Sequence, residues 1–310
     1  MRFGIFSGIL WGLDTVVLGI ALLMGPFADA ADASIASAFL HDAACALFLL
    51  VYMGVRHRLH DTVRALKTRS GRVVMLAALL GGPIGMTGYL VAINNIGAGP
   101  TAVISAFYPA MGSVLAVVFL GERMHVRQVI ALAFALLGVM VMGWSSSSGA
   151  AEGDALIGIV GALTCVIGWG SEAVILTWGM RDDSVDNETA LQIRETTSAL
   201  VYGLVVVPIA GAWGTSSAAL AAPSMGVVAL AALAGMCSYL FYYRALNGIG
   251  AARGMALNIS YSAWAVIFGI VLLGAVPTVL EVVCCVVIIV GTVLSATPDW
   301  LSLGIRKERA

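Results

Sequence analysis

The sequence predicts an all-α integral membrane protein with ten transmembrane helices, arranged as two inverted five-helix repeats. Three observations predict this class: an extreme apolar composition, a one-sided distribution of basic residues, and motifs that recur at fixed offsets. Hydrophobic residues make up 60% of the 310 residues, and charged residues only 11%. A soluble protein carries far more polar surface than this. The composition therefore leaves no room for a large soluble domain.

Apolar runs of about 20 residues, the length that crosses the hydrocarbon core, recur along the whole chain. The first run begins at Phe3 and is too long for the apolar core of a signal peptide. We therefore interpret it as the first span. The predicted spans are residues 3–24, 34–54, 73–95, 99–120, 126–144, 155–179, 189–209, 225–246, 249–273 and 278–296.

All 16 Lys and Arg residues fall on one side of this ten-span arrangement. The loop 55–72 is the richest in them, Arg194 is counted on the same side, and no Lys or Arg is expected deep in a span. Cytoplasmic loops are enriched in Lys and Arg, so we place this side and both termini in the cytoplasm. The loops on the opposite side carry acidic residues instead, namely Asp29, Asp32, Glu152 and Asp154.

Motifs recur between the two halves of the chain. The string Ile-Gly-Ala at 96–98 returns at 249–251, an offset of 153, and a Trp-Gly-x-acid string at 11–14 returns at 169–172, an offset of 158. Five helices are an odd number, so the second half must cross the membrane in the opposite sense. Inverted repeats of this kind are typical of secondary transporters, which bind substrate near the midplane between the repeats.

The domain division follows from this repeat. We predict a first repeat at 1–148 and a second at 149–310, joined by a serine-rich polar link that begins at Ser145. Gly81, Pro83 and Gly85 in the third span, with Pro109 in the fourth, are expected to interrupt regular helix. Either a hinge or close static packing of helices explains such glycines.

Acidic residues within predicted spans are the first candidates for a site. Asp14 and Glu172 lie inside helices, where a charge costs at least about 2.5–3.5 kcal/mol on insertion scales, so they face a cavity or a partner. For both, the alternative is a hydrogen-bonded carboxyl that only joins helices. Asp42 and Glu281 are interpreted as reaching the outer interface, and Glu195 as pairing with the adjacent arginine or anchoring at the cytoplasmic interface.

Aromatic side chains share helical faces with these acids or with an amide, at spacings of three residues. Packing, or a belt at the membrane interface, is the alternative for any one of them. Together they favour a cation, because Tyr and Trp faces attract quaternary ammonium groups. The candidate substrate-binding residues are Trp11, Asp14, Trp169, Glu172, Tyr239, Tyr242, Asn258, Tyr261 and Trp264.

Several classes of chemistry find no support in the sequence. It contains no Walker motif, no metal-ligand cluster and no nucleophile–base pair, so we expect neither enzymatic activity nor a cofactor or metal. A nucleic-acid partner is not expected. Phosphorylated sugars and nucleotides need a basic site, and none is expected inside the membrane.

The two halves, with Tyr108-Pro109 and the string Leu-Gly-Glu-Arg at 120–123, resemble the EamA group of the drug/metabolite transporter superfamily over nearly the whole chain. The second half departs from that pattern, because it has Ser262 and Ala275 in place of the Pro and Glu. Other strings resemble one branch, the LicB-type bacterial choline transporters. They are Gly8 to Leu13, His41-Asp42, Gly82 to Met86, Trp169 to Glu172, Ser238 to Tyr243, and Leu257 to Tyr261 with Trp264.

This resemblance implies choline uptake, with an aromatic box and a Glu around the trimethylammonium group. By position the box maps onto Trp11, Trp169, Glu172, Tyr239, Tyr242, Asn258 and Tyr261. Asp14 departs from the branch, which has a small residue there. A second acid points to a different cation or a different coupling stoichiometry.

Our leading hypothesis is a multi-pass transporter of the cell (inner) membrane that imports choline or a related quaternary ammonium compound by alternating access. Its expected partners are the lipid bilayer, a small cationic substrate and, as a candidate coupling ion, the proton, carried by Glu172 or Asp14. One alternative is an exporter of amino acids, drugs or other small metabolites from the same superfamily. Another is a receptor or scaffold that transports nothing. The inverted repeat and the acids within the spans argue against a scaffold.

Overall fold

The computed structural model describes residues 1–145, 153–181 and 184–300. Part of the predicted link, Glu152 and the last three basic residues (Arg306, Lys307 and Arg309) therefore lie outside the described residues. Within those ranges, ten helices are long and apolar enough to cross a membrane. They are α1 (Arg2–Leu22), α2 (Ala33–Val55), α3 (Arg69–Ile96), α4 (Ala98–Leu120), α5 (Val126–Ser145), α6 (Ala155–Gly179), α7 (Asn187–Ala210), α8 (Ser224–Ile249), α9 (Ala251–Leu273) and α10 (Val279–Ala296).

The ten-span prediction is confirmed, with α3 beginning earlier than expected. Two short helices, Leu59–Ala65 and Trp213–Leu220, lie between spans. The interruption predicted in α3 is also confirmed, because Leu80–Met86 forms a π-helical turn around Pro83. Proline cannot donate a backbone hydrogen bond, and π-helical turns within α-helices are frequent at functional sites. A second such turn, Tyr202–Val206, interrupts α7.

The inverted repeat is present in the packing and in the backbone. Helix α1 packs against α8 and α9, as α6 packs against α3 and α4, and α5 pairs with α10. Both α4 and α9 break after one short segment, at Ser105 and at Asn258. Each is preceded by a glycine with positive φ, Gly97 at 81° and Gly250 at 91°. Only glycine adopts this conformation readily, which explains the recurrence of the motif.

The two ends of the bundle are not equivalent. We name the end that carries Arg58 and the start of α9 the basic side. There the first segment of α9, Ala251–Asn258, packs against Tyr108–Leu120 of α4. The inverted counterpart, Ala98–Ser105 with Tyr261–Leu273, is not among the closely packed helix pairs of the described chain. Helices α4 and α9 therefore close the bundle at the basic side and are separated at the opposite side.

Candidate substrate site

The π-helical turn of α3 supports two side chains of α6. Trp169 donates a hydrogen bond from Nε1 to the Gly81 carbonyl oxygen at 3.0 Å. Glu172 rests on the same glycine, since a Cβ built on Gly81 would lie 1.8 Å from Glu172 Oε2. Residues three apart share a helical face, so the turn positions the indole and the carboxyl together.

Four aromatic side chains line a narrow cleft, and they come from both repeats: Tyr89, Tyr108, Trp169 and Tyr261. The Trp169 ring centroid lies 5.4 Å from that of Tyr89 and 5.5 Å from that of Tyr108. The second pair is nearly perpendicular, with an interplanar angle of 86°. Ring faces arranged around a cleft in this way attract cations.

A second aromatic group lies against the first. The Trp11 ring centroid is 4.7 Å from that of Tyr239 and 6.4 Å from that of Tyr261. Tyr239 also contacts the rings of Tyr242 and Tyr243 at 6.5 and 6.3 Å. Tyr261 therefore connects the cleft to the aromatic residues of α1 and α8.

Arg194 lies inside the bundle, with only 4% of its surface exposed. It donates from Nε to Glu172 Oε1 at 3.1 Å and from Nη1 to Glu195 Oε1 at 3.0 Å. From Nη2 it donates to the Tyr239 hydroxyl at 3.0 Å, and its guanidinium carbon lies 4.6 Å from the Tyr239 ring centroid. The acids compensate a charge whose burial is otherwise costly.

The expectation that no arginine sits deep in a span is therefore wrong, and so is the grouping of Arg194 with the cytoplasmic residues. The predicted pair between Arg194 and Glu195 is confirmed. Glu195 is fully buried, however, so the interpretation of it as a cytoplasmic anchor is wrong. Phosphorylated substrates were excluded because no basic residue was expected inside the membrane, and Arg194 removes that reason. The acidic partners of Arg194 already neutralise its charge, however.

A chain of buried polar groups continues from Arg194 towards α2 and α1. Asp42 Oδ2 lies 3.8 Å from Arg194 Nη1 and accepts a hydrogen bond from Ser198 Oγ at 2.5 Å. His41 lies between two acids, 3.3 Å from Asp42 Oδ1 and 3.1 Å from Asp14 Oδ1. The expectation that Asp42 reaches the outer interface is wrong, because its face of α2 is turned towards the bundle interior.

The predicted site residues divide into two sets. One set surrounds the two aromatic groups and comprises Trp11, Trp169, Glu172, Tyr239, Tyr242 and Tyr261. The other set has different contacts: Asp14 pairs with His41, and Asn258 donates to Ser7 Oγ at 2.8 Å. Trp264 lies where α9 crosses α1 closely, since a Cβ on Gly12 would lie 2.7 Å from Trp264 Cβ.

Sequence reasoning missed three residues of the site. Tyr108 had a usable signal, because it aligns with Tyr261 at the repeat offset of 153. Tyr89 lies about two helical turns before the end of α3, and no acid or amide shares its helical face at a spacing of three or four residues. Arg194 looked like an interfacial residue because it stands near the start of a span.

Ion pairs close the basic side. Glu188, at the start of α7, pairs with Arg58 at 2.6 Å and with Arg244 at 3.2 Å. Arg58 also pairs with Asp61 and Asp186. The hydrogen bond between Arg58 and Asp61 raises the pKa of the guanidinium and lowers the pKa of the carboxyl.

Glu122 joins the two repeats at the same side. Its carboxylate accepts hydrogen bonds from the first two backbone amides of α9, Ala251 N at 2.6 Å and Ala252 N at 3.1 Å. A carboxylate at a helix N-terminus satisfies amides that have no partner within the helix. Glu281 forms a capping box with Thr278 at the start of α10.

Comparisons with known proteins agree with this architecture. The model of the EamA-like transporter family matches residues 2–144 and again 156–297. Protein LicB of Haemophilus influenzae is 28% identical over 199 residues, which cover 64% of this chain and 65% of LicB, slightly under two thirds of its length. A solved protein crystal structure is similar at a TM-score of 0.70, over 95% of both chains, with 16% identity. Identity that low shows the fold alone.

Proposed function

This chain belongs to the EamA-like transporter family, and from that premise we propose that it imports choline or a related quaternary ammonium compound by alternating access. It is a multi-pass protein of the cell (inner) membrane, because its ten apolar helices are long enough to span the hydrocarbon core of a bilayer. The membrane potential favours the entry of a cation by about 2.3 kcal/mol per 100 mV. Protons are the candidate coupling ion.

The observation that carries this proposal is the aromatic cleft beside Glu172. Trp169 forms its wall, and Glu172 lies one helical turn further along the same face of α6. A quaternary ammonium group has no N–H to donate, so ring faces and a nearby carboxylate recognise it better than hydrogen-bond acceptors alone. The resemblance to LicB-type choline transporters points to the same residues.

Alternating access is supported by the unequal ends of the bundle. The start of α9 packs against α4 at the basic side, whereas the inverted counterpart is parted. In an inverted repeat, exchanging these two arrangements turns an opening on one side into an opening on the other. If the basic side is cytoplasmic, the cleft is open to the exterior.

A second candidate is an exporter of amino acids or other zwitterions. The buried guanidinium of Arg194 favours it, because a substrate carboxylate binds arginine through paired hydrogen bonds. Such a substrate would have to compete with Glu172 and Glu195 for the same donors. That competition makes a zwitterion the weaker candidate.

The test is binding and uptake by the purified protein in liposomes, with choline, betaine, carnitine and amino acids compared. We expect choline to be carried, and Trp169→Ala and Glu172→Gln to abolish or strongly weaken its uptake. Trp144→Ala and Glu281→Gln are matched controls, because Trp144 is 62% exposed and Glu281 only caps α10. Transport of an amino acid, with none of choline, would contradict the proposal.

A further inference from the structure

Arg194 is a cation of the protein itself, and it occupies two groups that would recognise a quaternary ammonium ion. Its Nε lies 3.1 Å from Glu172 Oε1, and its guanidinium carbon lies 4.6 Å from the Tyr239 ring centroid. A substrate cation is attracted to the same carboxylate and the same ring face. Two positive charges at one carboxylate repel each other, so substrate and Arg194 compete for Glu172.

The structure also offers Arg194 a second position. Glu195 is fully buried, and its Oε1 accepts a hydrogen bond from Arg194 Nη1. Its Oε2 accepts no hydrogen bond from any described residue. Asp42 Oδ2 lies 3.8 Å from the same Nη1. An unpartnered buried carboxylate oxygen is costly, and the guanidinium fork matches both oxygens of a carboxylate. A small shift towards Glu195 therefore uses an acceptor that otherwise has no donor.

We propose that Arg194 is a resident counter-ion that holds Glu172 when no substrate is bound and transfers to Glu195 and Asp42 when a substrate cation reaches Glu172. The inference rests on the proposed function, since it requires a cationic substrate. Only hydrogen bonds and ion pairs are exchanged. The transfer releases α6 from α7, because the bond between Arg194 and Glu172 joins these helices. Arg194 thereby selects substrates that can displace a guanidinium, and it couples occupancy to helix movement.

Two variants that share one substitution test this transfer, because they should change choline affinity in opposite directions. Glu195→Gln removes the charge that receives Arg194, so Arg194 stays on Glu172 and affinity should fall about tenfold, or ~1.4 kcal/mol. Adding Arg194→Gln to Glu195→Gln removes one positive and one negative charge, which leaves the formal charge of the cluster unchanged. Glu172 then has no competitor, and affinity should rise at least about tenfold.

Choline affinity is measured by titration of the full chain in lipid nanodiscs, with size-exclusion profiles and melting curves as folding controls. If both variants weaken binding, Arg194 and Glu195 are structural and the proposal is wrong. If wild type binds no choline, the proposed function fails and this inference falls with it. If the double variant does not fold, Tyr239→Phe provides the alternative test of the transfer. It removes one of the bonds that hold Arg194, at 3.0 Å, so affinity should rise about threefold; a fall would overturn the transfer.

Discussion

Gly81→Ala is the sharpest test of the site, because it adds one methyl group directly beneath Glu172. A Cβ at Gly81 would lie 1.8 Å from Oε2, 2.1 Å from Cδ and 2.7 Å from Oε1 of Glu172. The carboxyl must withdraw to at least 3.4 Å, where ordinary van der Waals contact begins. Its hydrogen bond from Arg194 Nε is now 3.1 Å long. The carboxyl must therefore move, and we expect this bond to be lengthened or lost.

The expected cost follows from that bond. A hydrogen bond to a charged group contributes about 1.5–3 kcal/mol, and we expect the stability of Gly81→Ala to fall by that amount. Choline affinity should fall about tenfold or more, because each 1.4 kcal/mol is a factor of ten and the Glu172 carboxyl loses the position beside Trp169 that the turn of α3 gives it. Thermal melting in detergent, with and without choline, measures both effects.

Gly19→Ala is the matched control, since a Cβ at Gly19 would have no atom of the described residues within 4 Å. Alanine is the better helix former by about 1 kcal/mol, so this variant should melt at or slightly above the wild-type temperature. If Gly81→Ala has the same melting temperature as Gly19→Ala and binds choline as tightly as wild type, then Glu172 does not pack closely against Gly81 of α3, and the reasoning is wrong.

Three further predictions concern other contacts. Trp169→Phe keeps a ring in the cleft but loses the hydrogen bond to the Gly81 carbonyl, so melting should show a loss of about 1 kcal/mol; an unchanged melting temperature would contradict the role of that bond. Glu122→Ala leaves the first amides of α9 without their acceptor and should lower the free energy of unfolding by about 0.5–2 kcal/mol. Glu122→Gln should melt at a temperature between those of wild type and Glu122→Ala. Arg58 lowers the pKa of Asp61, so this pair stabilises above the ordinary carboxyl pKa and its contribution is lost as the pH falls through the lowered pKa. The melting temperature of Asp61→Asn should therefore fall less steeply than that of wild type as the pH is lowered. An equally steep fall would contradict a stabilising role of the Arg58–Asp61 pair.

The fold was predictable because its determinants are local or periodic. Ten apolar runs define ten spans whatever their neighbours are. The positive-φ glycines Gly97 and Gly250 and the helix breaks at Ser105 and Asn258 lie at the same offset as the sequence motifs. The Gly-Pro string in α3 predicted the interruption that became the π-helical turn. Each of these signals is carried by a short stretch of chain.

The site was only partly predictable because burial depends on partners far away in the chain. Arg194 and Asp42 both stand in spans, and the sequence alone assigned them to interfaces, where charges are ordinarily found. Their actual partners are brought together by helix packing: Glu172 lies 22 residues from Arg194, and Ser198 lies 156 residues from Asp42.

The sequence by itself therefore determined the class, the number of spans and the repeat, and it predicted the residue types of an aromatic and acidic candidate site. Hydropathy and spacing are sufficient for these because the membrane acts on every span in the same way. Only the tertiary structure decided which acids meet the arginine and which aromatics line the cleft. The free energy of a buried charge is set by the few groups that surround it in space, and a linear pattern does not specify them.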